Sequence, residues 1–152
     1  MAKKSGTADA QLVLQLYDLR REAEMRKARS WYGGSFWPET ADDYAKVANA
    51  YSIPENAWLR QVTSYWGMAS ALVLNGALSE ELFFDTCGEM WFTLAKVSPI
   101  LKEIRAKMQT PELFLHMEKL ATRSKAGKER LKKLEVRMAG MRKSLAATTR
   151  DS

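Results

Sequence analysis

Three carboxylates, Glu81, Asp85 and Glu89, recur every four residues, a spacing that lines them up on one face of an α-helix. Carboxylates paired in this way serve acid–base chemistry or, inside helical bundles, a two-metal centre. The metal centre needs Glu-x-x-His pairs, and the chain has a single histidine, His116. Glu112 stands one helical turn before His116, which suits an ion pair but falls short of a zinc ligand set unless a second copy completes it. Cys87 is the only cysteine, so no disulfide can form within the chain. Its neighbours Asp85 and Glu89 would raise its pKa, and the pattern marks it as a structural thiol. No glycine-rich phosphate loop, nucleophile elbow or Ser/His/Asp set is present. The residues therefore point to no catalytic group, no metal and no cofactor. Glu81, Asp85 and Glu89 read as a solvated face, or as a docking strip for basic side chains.

Cations are the other candidate chemistry. The net charge of +6 is placed unevenly: residues 1–118 hold 13 Lys+Arg against 15 Asp+Glu, whereas 119–152 hold 11 against 3. Lys125, Lys128, Arg130, Lys132, Lys133 and Arg137 could contact phosphates or an acidic partner. No helix-turn-helix or zinc-finger signature accompanies them, and no aromatic follows Phe114 to stack on bases. A coiled-coil surface kept soluble by charge explains the same residues.

The elements that must position these groups read as helices throughout. Four prolines and eight glycines are too few for a turn-rich β chain. Leu12, Leu16, Leu19 and Ala23 form an apolar stripe over a first helix from Ala8 to Arg29, with Thr7 or Asp9 as cap. Gly33-Gly34 breaks it, and an aromatic loop (Trp31, Tyr32, Phe36, Trp37) either folds back onto the core or serves as a docking site. Thr40 and Asp43 open a short helix to Tyr51 that buries Tyr44, Val47, Ala48 and Tyr51. A capping box of Ser52 and Glu55, with Pro54 in the first turn, opens the next helix to Leu74. Asn75-Gly76 turns the chain, and Ser79 with Glu80 and Glu81 starts a helix to Lys107 that Pro99 should kink or divide near Lys96. Trp58, Trp66 and Trp91 sit on apolar sides and are expected in one shared core. No run reaches the ~20 apolar residues of a membrane span, and no hydrophobic leader core follows the amino terminus. The expectation is a soluble cytoplasmic protein.

Thr110-Pro111-Glu112 is a helix-start signal. Beyond it Leu113, Met117, Leu120, Ser124, Gly127, Leu131, Leu134, Met138, Met141 and Leu145 alternate spacings of four and three, a heptad seam with a weak middle at Ser124 and Gly127. The spacing predicts one long helix, with residues 1–118 as a helical core domain and 119–152 as a basic extension continuous with the last core helix. In a parallel dimer Arg130 would meet Glu135 favourably. Arg123 would oppose Lys128, and Arg137 would oppose Arg142. Antiparallel packing on the acid-bearing first helix (Asp18, Glu22, Glu24) is favoured instead, within the chain or swapped into a homodimer. Its interface would be Leu131, Leu134, Met138, Met141 and Leu145.

From Asp43 to Arg105 the sequence resembles an uncharacterised family of small bacterial helical proteins, a domain of unknown function. The resemblance rests on the short helix ending in Tyr51, Leu72-Val73-Leu74-Asn75-Gly76, Leu78-Ser79-Glu80-Glu81-Leu82-Phe83, Trp91, and Pro99 to Arg105. It implies a helical fold and transfers no ligand. The sequence thus specifies an all-α bundle of four to five helices with a long, basic, heptad-bearing C-terminal helix. The expected role is non-enzymatic: self-association or binding of another helical protein through that helix. Nucleic-acid binding is the alternative, and a small-molecule-binding or catalytic bundle with a Trp-rich pocket is a further one.

Overall fold

A computed structural model describes residues 4–152, and it is helical with no strand among them. Helix α1 (Thr7–Arg20) begins where the Asp9 carboxylate accepts the Gly6 N–H at 2.9 Å. The same carboxylate accepts the Ser79 N–H at 2.7 Å, tying this end to the middle of the chain. The helix expected to reach Arg29 stops at Arg20. Glu22 caps a new helix, α2 (Ala23–Gly34), by accepting the Met25 N–H at 3.0 Å. The two pieces bury different faces: Leu16 and Arg20 on α1, Met25, Ala28 and Tyr32 on α2. Leu19, part of the expected stripe, stays exposed.

Trp31 and Tyr32 thus lie on α2, not in a loop. Phe36 turns back to stack on Trp31 (centroids 4.7 Å apart) and Tyr32 (5.4 Å), so the aromatic segment joins the core. Helix α3 (Ala41–Ala48) carries the expected Thr40/Asp43 capping box. Tyr51 lies beyond its end and is 76% exposed, the reverse of the expectation, because Asn49 ends the helix before the buried face can recur there. Helix α4 (Pro54–Leu74) has Pro54 at its first turn, but Ile53 is the residue before it and no Ser52 box forms.

Helix α4 is central. α2 lies along it, and α3 covers its start. Asn75 and Gly76 end it, with Gly76 at φ +75°, and Ser79 then accepts the Leu82 N–H to cap α5 (Glu80–Thr86). The helix expected from Glu80 to Lys107 is in fact three. Cys87-Gly88 separates α5 from α6 (Glu89–Val97), and a 3₁₀ turn at Ser98–Ile100, holding Pro99, leads into α7 (Leu101–Met108). The proline break was anticipated from proline's missing N–H. The one at Gly88 was not.

The seam is also divided. Gln109 and Phe114 adopt left-handed backbone, and helix α8 runs only over Leu115–Thr122. Ser124 accepts the Gly127 N–H at 3.0 Å and caps α9 (Lys125–Arg150). The C-terminal helix is therefore long, as expected, but is not continuous with the helix before it. Helix α8 packs on α4, and α9 lies along α6 and α8 rather than along α1. Trp66 and Trp91 are fully buried and joined through Phe83, whereas Trp58 is half-buried at the edge against Trp31.

Candidate anion-binding groove

Three helices each turn a row of side chains about one turn long toward the same space. On α2, Met25, Ala28 and Tyr32 face the core, which turns Arg26, Arg29 and Ser30 outward. On α6, Met90, Trp91, Leu94 and Ala95 pack into the core, and Glu89, Phe92 and the buried Thr93 lie on the side that adjoins the space. On α9, Leu131 and Met138 dock the helix and place Leu134 and Arg137 beside them. Together with Tyr32, Val62 and Gly88 these residues line a cavity of about 600 Å³, within the range of small-molecule sites.

One cation of the cavity is neutralised internally. Arg29 donates from Nε to Glu89 Oε1 at 2.8 Å and from Nη2 to Oε2 at 2.6 Å. This paired fork raises the guanidinium above its ordinary pKa and fixes both side chains. Arg29 Nη1 also reaches the Arg20 carbonyl at 3.3 Å, across the α1–α2 break. Beneath them the Tyr32 hydroxyl donates to the Thr93 carbonyl at 2.7 Å, and burial keeps its pKa well above the usual phenol value. The floor is thus rigid and neutral. Among the described residues, Arg26 and Arg137 have no carboxylate within 4.0 Å.

The six cations singled out on the C-terminal helix fall into two rows. Arg130, Lys133 and Arg137 recur at i, i+3 and i+7 and turn toward the groove, whose neighbouring hollow of about 540 Å³ includes Phe84, Arg130 and Lys133. Arg130 is already engaged: it donates to the Phe84 carbonyl at 2.6 Å and lies 3.5 Å over the Phe84 ring. Lys125, Lys128 and Lys132 share the outer face, opposite the buried stripe, and all are exposed.

The expected interface is largely consumed by the chain itself. Leu131 and Met138 are buried and Leu134 is packed against the core, because α9 closes over α6. Met141 and Leu145 remain 37% and 44% exposed. The acidic strip is not one surface either. Glu81 and Asp85 are exposed on α5, whereas the turn at Cys87-Gly88 delivers Glu89 to Arg29. Glu112 lies in the turn ahead of α8, so the helical spacing to His116 does not arise. Cys87 is buried, and burial first, Glu89 to a lesser degree, raises its thiol pKa.

Two features had no sequence reading. Arg26, Arg29 and Ser30 carry the i, i+3, i+4 signal of a shared face, but in a helix end so charged that it reads as solvent-facing. Lys96 is fully buried. Its ammonium donates to the Tyr32 carbonyl and, at 3.2 Å, to that of Gly33, capping the last turn of α2. It sits 3.9 Å over the Trp37 ring. Burial first, and Arg142 second, lower its pKa to about 7. Arg142 in turn donates to the Lys96 carbonyl at 3.0 Å, pinning α9 to the end of α6.

A family model described as Domain of unknown function (DUF4760) matches residues 5–124. The match ends at the cap of α9, so α1 to α8 fall inside it and α9 outside. Searches of the curated proteins and of the solved structures return no match.

Proposed function

Because the chain belongs to this DUF4760 family, whose function is unknown, we propose from its own surface that it is a non-enzymatic binding protein that engages an acidic protein partner through the outer face of α9. The observation that carries this reading is the division of labour on that helix. Its apolar stripe is occupied by α6 and α8, while Lys125, Lys128 and Lys132 stand exposed in a row. A row of flexible ammonium groups on a rigid helix favours a partner's carboxylates by long-range attraction, with modest affinity and strong salt dependence. No helix of the described residues is long and apolar enough to cross a membrane.

Nucleic-acid binding is the second reading, favoured by the length of α9. At ~1.5 Å per residue its 26 residues span roughly 39 Å, several phosphate spacings. Fluorescence anisotropy with a labelled poly-glutamate peptide and a labelled single-stranded RNA separates the two. The peptide should bind, and the Lys125→Gln/Lys128→Gln/Lys132→Gln variant should lose it. RNA binding without peptide binding would establish the second reading instead. Failure of both at low salt would remove them together.

A further inference from the structure

The cavity between α2, α6 and α9 carries an electrostatic imbalance that the fold does not resolve. Three guanidinium groups line it, Arg26 and Arg29 from α2 and Arg137 from α9, against the single carboxylate of Glu89. Arg29 takes that carboxylate through both of its oxygens, so the remaining +2 belongs to Arg26 and Arg137. Like charges brought to one concavity repel, and an anion bridging them relieves the repulsion. One neutral polar group also suits an anion: the Ser30 hydroxyl lines the wall, whereas the Thr93 hydroxyl is spent on the Glu89 carbonyl. The rest of the lining is apolar, with Phe92 and Leu134 facing the space and Val62 and Tyr32 beneath.

We propose that this cavity binds a small phosphomonoester carried on an apolar, ring-sized body. A phosphate monoester holds close to two negative charges at neutral pH and three oxygens, which matches two unpartnered guanidinium forks. A monocarboxylate satisfies only one fork, and Glu89 already plays that part for Arg29. Phe92 and Leu134 cover the body of the ligand. The volume of about 600 Å³ accommodates a ring with its phosphate and leaves room for water. Helix α9, which supplies Arg137 and Leu134, lies beyond the family match, so the pocket depends on this extension as well as on the shared helices. The inference does not rest on the acidic-partner reading, which uses Lys125, Lys128 and Lys132.

Isothermal titration with phenyl phosphate, inorganic phosphate and benzoate tests it on the full chain. Phenyl phosphate should saturate with a Kd below about 1 mM, and the other two should bind at least about tenfold more weakly. Arg26 and Arg137 are exposed, so the Arg26→Gln and Arg137→Gln variants should keep the wild-type urea midpoint while each weakens phenyl phosphate about tenfold or more. The Lys102→Gln/Lys119→Gln variant, which removes two charges elsewhere, should bind as wild type. Three results would overturn the site: no saturation by phenyl phosphate, equal loss in the lysine control, or no loss in either arginine variant. Inorganic phosphate binding as tightly as phenyl phosphate would overturn the role given to Phe92 and Leu134.

Discussion

The indole N–H of Trp91 donates to the Gly127 carbonyl at 3.2 Å, joining the first turn of α6 to the first turn of α9. The residue that offers this carbonyl has no room for a side chain. A Cβ there would stand 2.5 Å from the Ala121 carbonyl oxygen, so only glycine lets the end of α8 and the start of α9 cross so closely. Replacing Gly127 with alanine should therefore force the helices apart and cost about 1–3 kcal/mol in urea denaturation. Trp91→Phe, which keeps most of the volume, should cost less than Trp91→Ala, at about 3–5 kcal/mol. Additive losses in the Gly127→Ala/Trp91→Phe pair would show that the two residues are not coupled.

The docking of α9 provides a second test. Met138 is buried and Leu134 partly so, whereas Met141 and Leu145 are exposed on the same helix. Glutamate at both 134 and 138 should undock α9, lower the melting temperature, and open the chain to proteolysis near Ser124. Glutamate at both 141 and 145 should leave the melting temperature within a degree or two of wild type. Equal melting for the two variants would mean that α9 does not rest on α6.

Lys96 should make stability depend on pH in an identifiable way. Its folded pKa of about 7 lies below its unfolded value of about 10.4. Between those values the unfolded chain binds more protons than the folded one, so stability rises with pH through this window. The gain should be visible in urea midpoints from about pH 7 to about pH 9, before the tyrosines intervene. Burial raises the pKa of Tyr32, Tyr44 and Tyr65, the last to about 12, and each reverses the trend once tyrosine ionises in the unfolded chain. Lys96→Met should flatten the rise. A variant as pH-dependent as wild type would assign the effect to other groups.

The Arg29–Glu89 fork holds α2 to the start of α6 while both side chains remain about a third exposed. Glu89→Gln should destabilise the protein by about 1 kcal/mol, since partly exposed pairs are screened by water. Double-mutant analysis with Arg29→Gln would isolate the pair, and a coupling indistinguishable from zero would show that the fork carries no energetic weight.

Local chemistry decides what is local. The Thr40/Asp43 box, the Asn75-Gly76 turn, the Ser79 cap and the Pro99 break all depend on residues within a turn of one another, and all are legible in the sequence; so is the presence of a long C-terminal helix, but not its start at Lys125. The helical class followed from periodicity. Misreadings arose where two local signals were compatible with the same residues. Glu22 continues a helix as readily as it caps one, and Ser124 with Gly127 reads either as a weak heptad or as a break.

Tertiary structure decided which surfaces meet. The stripe of Leu131, Leu134 and Met138 requires an apolar partner, but its periodicity does not say whether that partner is a second chain, α1 or α6. The answer depends on the shape of the completed core, where Gly127 lets α8 and α9 meet closely, Trp91 binds its carbonyl and Arg142 pins the far end. The cavity is the same kind of outcome. Arg26, Glu89 and Arg137 are distant in sequence: Arg26 reads as a solvated charge, Glu89 as part of an acidic strip and Arg137 as part of the basic tail. Only the crossing of α2, α6 and α9 gathers them, because charge and period specify a face while packing specifies what the face looks onto.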